Sequence, residues 1–171
     1  MASVLATGAL IVGGLSIATA GGARPLLLWN RTASEPEGLY VRGSGPVAVG
    51  ALVAFSAPDA AFPYADGHMG YLRRVPILKS VAAVSGDKVC TDNDHLQING
   101  RMRAAILSRD RRGANLPRWR GCRQLGADEV FVFSDRIPNS FDSRYFGPVR
   151  RADIVGVFRP VTLSLLSLGD L

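Results

Sequence analysis

Residues 75–90 read VPILKSVAAVSGDKVC. A run of Ile, Leu, Val and Ala closed by Ser-Gly-Asp predicts a buried β-strand ending in a tight turn. Inside that run stands Lys79, one of only two lysines in the chain; the other is Lys88. An ammonium in an apolar strand either sits at a sheet edge or is partly buried. Burial disfavours its charged form and lowers its pKa. A neutral amine near pH 7 can take a proton from a serine hydroxyl.

Working outward, the same grammar recurs. PLLLWN, LYVRG, VAVGALVAFSAP, EVFVFSD and ADIVGVFRPVTL read as short strands rich in Val and Phe and bounded by Gly, Pro or Asp. HLQINGRMR reads as a hairpin with a type I′ turn at Asn99-Gly100. Residues 57–70 form a Pro/Gly-broken excursion with room for one short helix, residues 108–123 a polar loop, and PNSFDSRYFGPV a turn-like stretch. Helical periodicity is scarce beyond the N-terminus. The expected fold is mainly β and antiparallel, built from many short strands.

Residues 2–23 carry no charge and have about the length of a membrane-spanning helix. They read as a transmembrane anchor or as an export signal, since Ala18-Thr19-Ala20 has the small-x-small form of a cleavage site. Either reading divides the chain into residues 1–24 and an extracytoplasmic domain, 25–171. Cys90 and Cys122 suit this, because an isolated pair in an oxidising compartment reads as a disulfide. Two unrelated buried thiols are the alternative. The formal charge of +6 comes mostly from scattered arginines. Without a basic stripe or an aromatic platform, no nucleic-acid partner is expected.

The catalytic vocabulary is narrow. His68 and His95 lie in turn-rich stretches, so no Ser–His–Asp triad is evident. No HExxH or comparable ligand set appears, so neither a metal nor a cofactor is expected.

Three ordered segments sharpen this. LKSVAAVSGDKV resembles the lysine box of type I signal peptidases, with Lys79 eight residues before Asp87. Ser80 and Ser85 depart from the family's arginine and proline and read as turn and substrate-side variation. TASEPEGLY resembles the nucleophile box of TraF-type conjugative transfer peptidases, with Ser34 in the nucleophile position. VGALVAF is similar to a strand of that family, with Ala51 replacing its acid. FVFSDRIPNSFDSRYFGPV resembles the family's third box, with Ser134 replacing its first glycine and Arg136 its asparagine.

The resemblance spans residues 30–158 and, with LPRWRGCR and the two cysteines, fits the TraF-type subgroup. It implies a signal-peptidase/LexA-like β fold and a serine endopeptidase with a Ser34–Lys79 dyad. It implies oxyanion donors at the Ser34 N–H and Thr32, a lysine-orienting Ser140, and an Asp142 that assists the dyad or shapes its loop. Arg144 reads as structural. The implied substrate is a membrane-inserted conjugative pilin precursor, cleaved or cyclised at the inner membrane with the catalytic domain in the periplasm. Release as a soluble periplasmic protein after signal cleavage is the alternative location. Alternative functions are a general signal peptidase removing export signals from preproteins, a non-catalytic envelope component of the transfer apparatus, and a LexA-like self-cleaving regulator.

Overall fold

The structure, a computed structural model, describes residues 24–161 apart from Pro63 and Asn93. The expected N-terminal helix and the boundary at residue 24 lie in or against the segment outside this range. Among the described residues no helix is long and apolar enough to cross a membrane.

Eleven strands form among the described residues: β1 (Leu27–Asn30), β2 (Gly38–Gly43), β3 (Leu52–Phe55), β4 (Ile77–Ala83), β5 (Lys88–Cys90), β6 (His95–Ile98), β7 (Arg101–Ala105), β8 (Cys122–Gln124), β9 (Glu129–Val132), β10 (Val149–Arg150) and β11 (Ile154–Pro160). Two one-turn helices join them, α1 (Tyr64–His68) in the Pro/Gly-broken excursion and α2 (Ser143–Phe146) in the third box. The strands make two antiparallel sheets, ordered β1-β2-β11-β3-β4-β9-β10 and β7-β6-β5-β8. The mainly β, antiparallel architecture expected from the sequence is the one observed.

The period of two along each strand divides the core. Val53 and Phe55 of β3 join Ile77 and Val81 of β4 in one apolar cluster. Ala54 and Leu78 point the other way, toward Tyr40 and Phe158. Strand β4 is therefore apolar on both faces, which is why its sequence reads as a continuous run instead of an alternation. A third cluster, with Val89, Leu96, Ile98, Leu125, Phe131 and Phe133, packs the small sheet onto the large one.

The corner between the sheets is the Ser-Gly-Asp turn. Gly86 takes φ +87°, a conformation that costs little only for glycine. Asp87 accepts from the Val84 N–H (2.8 Å) and from Asn99 Nδ2 (2.9 Å), and Asn99 Oδ1 accepts from the Lys88 N–H (2.8 Å). The two turns thus brace each other. Asn99 and Gly100 both have positive φ, as the expected type I′ turn requires.

One strand expectation fails. VAVGALVAFSAP is not a single strand: the chain turns at Gly50 (φ +86°), the Ala51 N–H bonds to Ala48 O, and only Leu52–Phe55 pair as β3. Apolar side chains ahead of the turn mimic a strand while the backbone reverses.

Cys90 and Cys122 are directly opposite on β5 and β8 and form a disulfide. It closes a loop across a sequence separation of 32. In the chain-entropy picture its removal costs about 3–4 kcal/mol. Reduction, or Cys90→Ala with Cys122→Ala, is therefore expected to lower the denaturation midpoint by that equivalent. A midpoint unchanged by reduction would contradict it.

Candidate active site

Ser34 lies in the seven-residue loop, 31–37, that joins β1 to β2. Loops position chemistry well only when tied down. Asn30, the last residue of β1, ties this one. Its Nδ2 donates to the carbonyls of Thr32 (2.9 Å), Glu35 (3.0 Å) and Pro36 (2.9 Å). Its Oδ1 accepts from the Thr32 N–H (3.1 Å) and hydroxyl (2.9 Å). The buried Tyr40 hydroxyl also donates to Pro36 O (2.6 Å), and the Ser134 hydroxyl donates to Ser34 O.

Lys79 lies at the third position of β4, opposite Val53 of β3. The strand period carries its side chain to the face shared by Ile77 and Val81, inside the largest apolar cluster. Both Lys79 and Ser34 are buried, at 5% and 4% exposure. Lys79 Nζ donates to Ser34 Oγ at 2.6 Å and to Leu78 O at 3.2 Å. Burial pulls the amine's pKa below the ordinary lysine range; the Asp142 and Glu35 carboxylates push it back up, and Arg144 pushes it down.

The other residues singled out in the sequence lie at differing distances from this pair. Thr32 Oγ1 lies 3.3 Å from Ser34 Oγ, beside the expected nucleophile. Ser140 is buried, but its hydroxyl has no hydrogen-bond partner, so the orienting contact to Lys79 expected from the resemblance is not made in this state. Asp142 is fully buried and held by Arg144, whose Nε reaches Oδ1 at 2.8 Å and Nη2 reaches Oδ2 at 2.9 Å. Asp142 also caps α2 through the Arg144 N–H (3.2 Å) and accepts from the Ser134 N–H (3.4 Å). It meets Lys79 through its field and not through a hydrogen bond. The Cys90–Cys122 bridge lies in the small sheet. His68 is exposed and stacks on Tyr64.

Several residues escaped sequence reading. Asn30 organises the loop through side-chain bonds to carbonyls, a pattern with no periodic signature. Ser134, which replaces a glycine of the resembled box, uses its hydroxyl on the carbonyl of Ser34. Ser80 is no turn residue but sits mid-strand in β4, where it meets Glu35. A cleft of about 190 Å³ opens beside the Ser34 loop, lined by Glu35, Ser80, Val81, Phe133, Ser134 and Arg136 among others.

Asn30→Ala is expected to slow turnover by about 10–100-fold, because a displacement near 1 Å at a reacting atom is enough for that. It should cost about 0.5–1.5 kcal/mol of stability, because water can reach two of the three carbonyls it leaves. Steady-state kinetics beside thermal denaturation check both; wild-type turnover would refute the loop's dependence on Asn30.

The chain belongs to the signal peptidase family, peptidase S26, whose profile matches residues 4–162. It is similar to a plasmid transfer protein TraF of Escherichia coli, with 34% identity over 173 aligned positions, 92% of this chain and 94% of the relative. A second Escherichia coli plasmid transfer protein TraF is 36% identical over 147 positions, covering 77% and 80%. The conjugal transfer protein TraF of Agrobacterium tumefaciens (strain 15955) is 36% identical over 145 positions, also covering 77% and 80%. Among solved structures, a signal peptidase I from Enterococcus faecalis V583 matches with a TM-score of 0.40 and 23% identity, covering 66% of this chain and 97% of that one.

Proposed function

We propose that the chain is a serine endopeptidase that processes a conjugative pilin precursor with Ser34 as nucleophile and Lys79 as general base. The observation that supports this most is the 2.6 Å contact between Lys79 Nζ and Ser34 Oγ inside an apolar layer. Once neutral, the amine accepts the hydroxyl proton along that same contact as Ser34 Oγ attacks the scissile carbonyl. The oxyanion takes donors from the Ser34 N–H and from Thr32 Oγ1, which rotates away from Asn30 to reach it. The lysine ammonium then protonates the leaving amine, and an ester on Ser34 remains. Ser140 is read as the residue that orients the amine, and its buried, unpaired hydroxyl supports that reading. Asp142 acts through its field on Lys79 and through α2.

Water resolves the ester to a linear product, or the substrate's own amino terminus resolves it to a cyclic one. The resemblance of the three boxes to TraF-type peptidases supports transfer pilin as the substrate, the disulfide supports an oxidising compartment, and the uncharged residues 2–23 support an inner-membrane anchor. Mass spectrometry of the product formed from a purified pilin precursor tests the reading. Cleavage at one site is expected, and a product one water lighter than the linear peptide identifies cyclisation. An unprocessed precursor would overturn the pilin assignment.

A further inference from the structure

Each member of the dyad is followed in sequence by a residue that bonds to its counterpart. Ser34 is followed by Glu35 and Lys79 by Ser80. Glu35 Oε1 accepts from the Ser80 N–H at 2.9 Å and from the Ser80 hydroxyl at 3.2 Å. The contact repeats the Ser34–Lys79 pairing one residue further along both segments.

The loop needs such a tie. Asn30 and Tyr40 fasten it to its own hairpin, and Ser134 fastens it from beyond β9. Asn30 and Tyr40 do not set its distance from β4, and Ser134 sets it only indirectly, through Phe133, whose N–H bonds to Ser80 O at 3.0 Å. The Ser34–Lys79 contact ends on a flexible four-carbon stem and fixes little by itself. The Glu35 bond ends on the backbone of β4. It is also costly to build: Glu35 is only 5% exposed, and a buried carboxylate is tolerated when its oxygens are hydrogen-bonded.

We propose that Glu35 is a positioning residue that, through Ser80, fixes the approach of the nucleophile loop to the lysine on β4. This rests on the Ser34–Lys79 reading above. The carboxylate has a second effect through its charge. Lys79 faces Asp142 and Glu35, which raise its pKa, and Arg144, which lowers it. Glu35 in turn faces Lys79 and Arg136, and burial pushes its own pKa up. Tyr40 also lies within its field.

Glu35→Ala and Glu35→Gln, assayed on a synthetic peptide spanning the pilin processing site, separate the two effects. The alanine variant removes the tie, and kcat should fall about 10–100-fold with KM within about twofold, the signature of misplaced reacting groups. Glutamine keeps an acceptor for Ser80 and should hold kcat within about threefold, rescuing the alanine loss. Glutamine removes the negative charge that raises Lys79. The acidic limb of kcat/KM should therefore move to lower pH. An alanine variant with wild-type kcat, or a glutamine variant with an unmoved limb, overturns the proposal. Should the alanine variant not fold, Glu35→Asp decides: its carboxylate is one methylene too short to span to the Ser80 N–H, so kcat should fall about 10-fold, and a wild-type kcat overturns the proposal. Ser34→Ala run in parallel distinguishes the failures: an active Ser34→Ala removes the dyad itself, whereas an inert one beside an unaffected Glu35→Ala removes only the clamp.

Discussion

Ser34→Ala and Lys79→Ala are each expected to reduce kcat on the proposed pilin precursor by about 10⁴-fold or more, with both proteins still folded. Residues that act as one unit lose nearly everything when either is removed, so the double variant should be no slower than the singles. Folding should survive, because the two side chains meet in a small contact and Lys79 carries a desolvation cost that its removal relieves. Lys79→Arg should be as inert as alanine, since a guanidinium keeps its proton and cannot act as base. In the wild type, activity should rise with pH as the Lys79 amine loses its proton. Burial sets that pKa below the ordinary lysine value of 10.5, so the limb falls below it. Near-normal processing by either alanine variant would end the dyad reading.

Arg144→Ala should have the largest effect on stability. Arg144 is 1% exposed and its guanidinium does several things at once. It pairs with Asp142, donates to Ala105 O (3.0 Å) and Ser140 O (2.9 Å), and lies over the Phe133 ring at 4.9 Å. Removing it leaves a carboxylate buried without its partner, at a cost of about 3–5 kcal/mol. Thermal denaturation should fall by about 10 °C or more for a domain of this size. Pairing the change with Asp142→Asn should return part of that loss, because the orphaned charge is gone. The same pair separates the two roles of Asp142. If it shapes the loop and biases Lys79 only through its field, the Asp142→Asn enzyme keeps measurable turnover with an acidic limb moved to lower pH. Complete loss of turnover in a folded Asp142→Asn protein would give Asp142 a direct part in the chemistry.

The parts of this molecule that sequence displays are those governed by local period and local turns. Strands β4 and β9 announce themselves because buried strands need Val, Ile and Phe. The Asn99-Gly100 and Ser85-Gly86-Asp87 turns announce themselves because few residues accept positive φ. Sheet order is different. The last strand, β11, inserts between β2 and β3, and nothing in its residues specifies those neighbours. Nor does the chain mark where one sheet ends and the other begins, since Asp87 reads as a turn residue whether or not Asn99 braces it. The false strand before β3 fails for a related reason: Val47 and Val49 are apolar, but Gly50 reverses the backbone.

The site divides the same way. Ser34 and Lys79 stand out through ordered motifs and through the scarcity of lysine. Their partners do not. Asn30, Ser80 and Ser134 are ordinary polar residues whose importance arises only where the fold brings distant segments together. Glu35 stands next to Ser34 in the chain, but that it faces Ser80 is visible only in the fold. Asp142 and Arg144 stand two residues apart in the third box, but their pairing and its energetic weight come from burial that the chain does not display.

The central claim is that a buried Lys79 amine is the base for Ser34, and direct titration of that amine tests it most closely. Because Lys79 and Lys88 are the only lysines, isotope labelling of lysine alone yields two side-chain signals. Lys79→Ala assigns them, and exposed Lys88 serves as the reference. The Lys79 amine should titrate below the ordinary lysine value of 10.5, at the same pH as the acidic limb of kcat/KM, and its signal should change in Ser34→Ala. A Lys79 amine titrating at or above that value, or an activity limb at a different pH, would contradict the account.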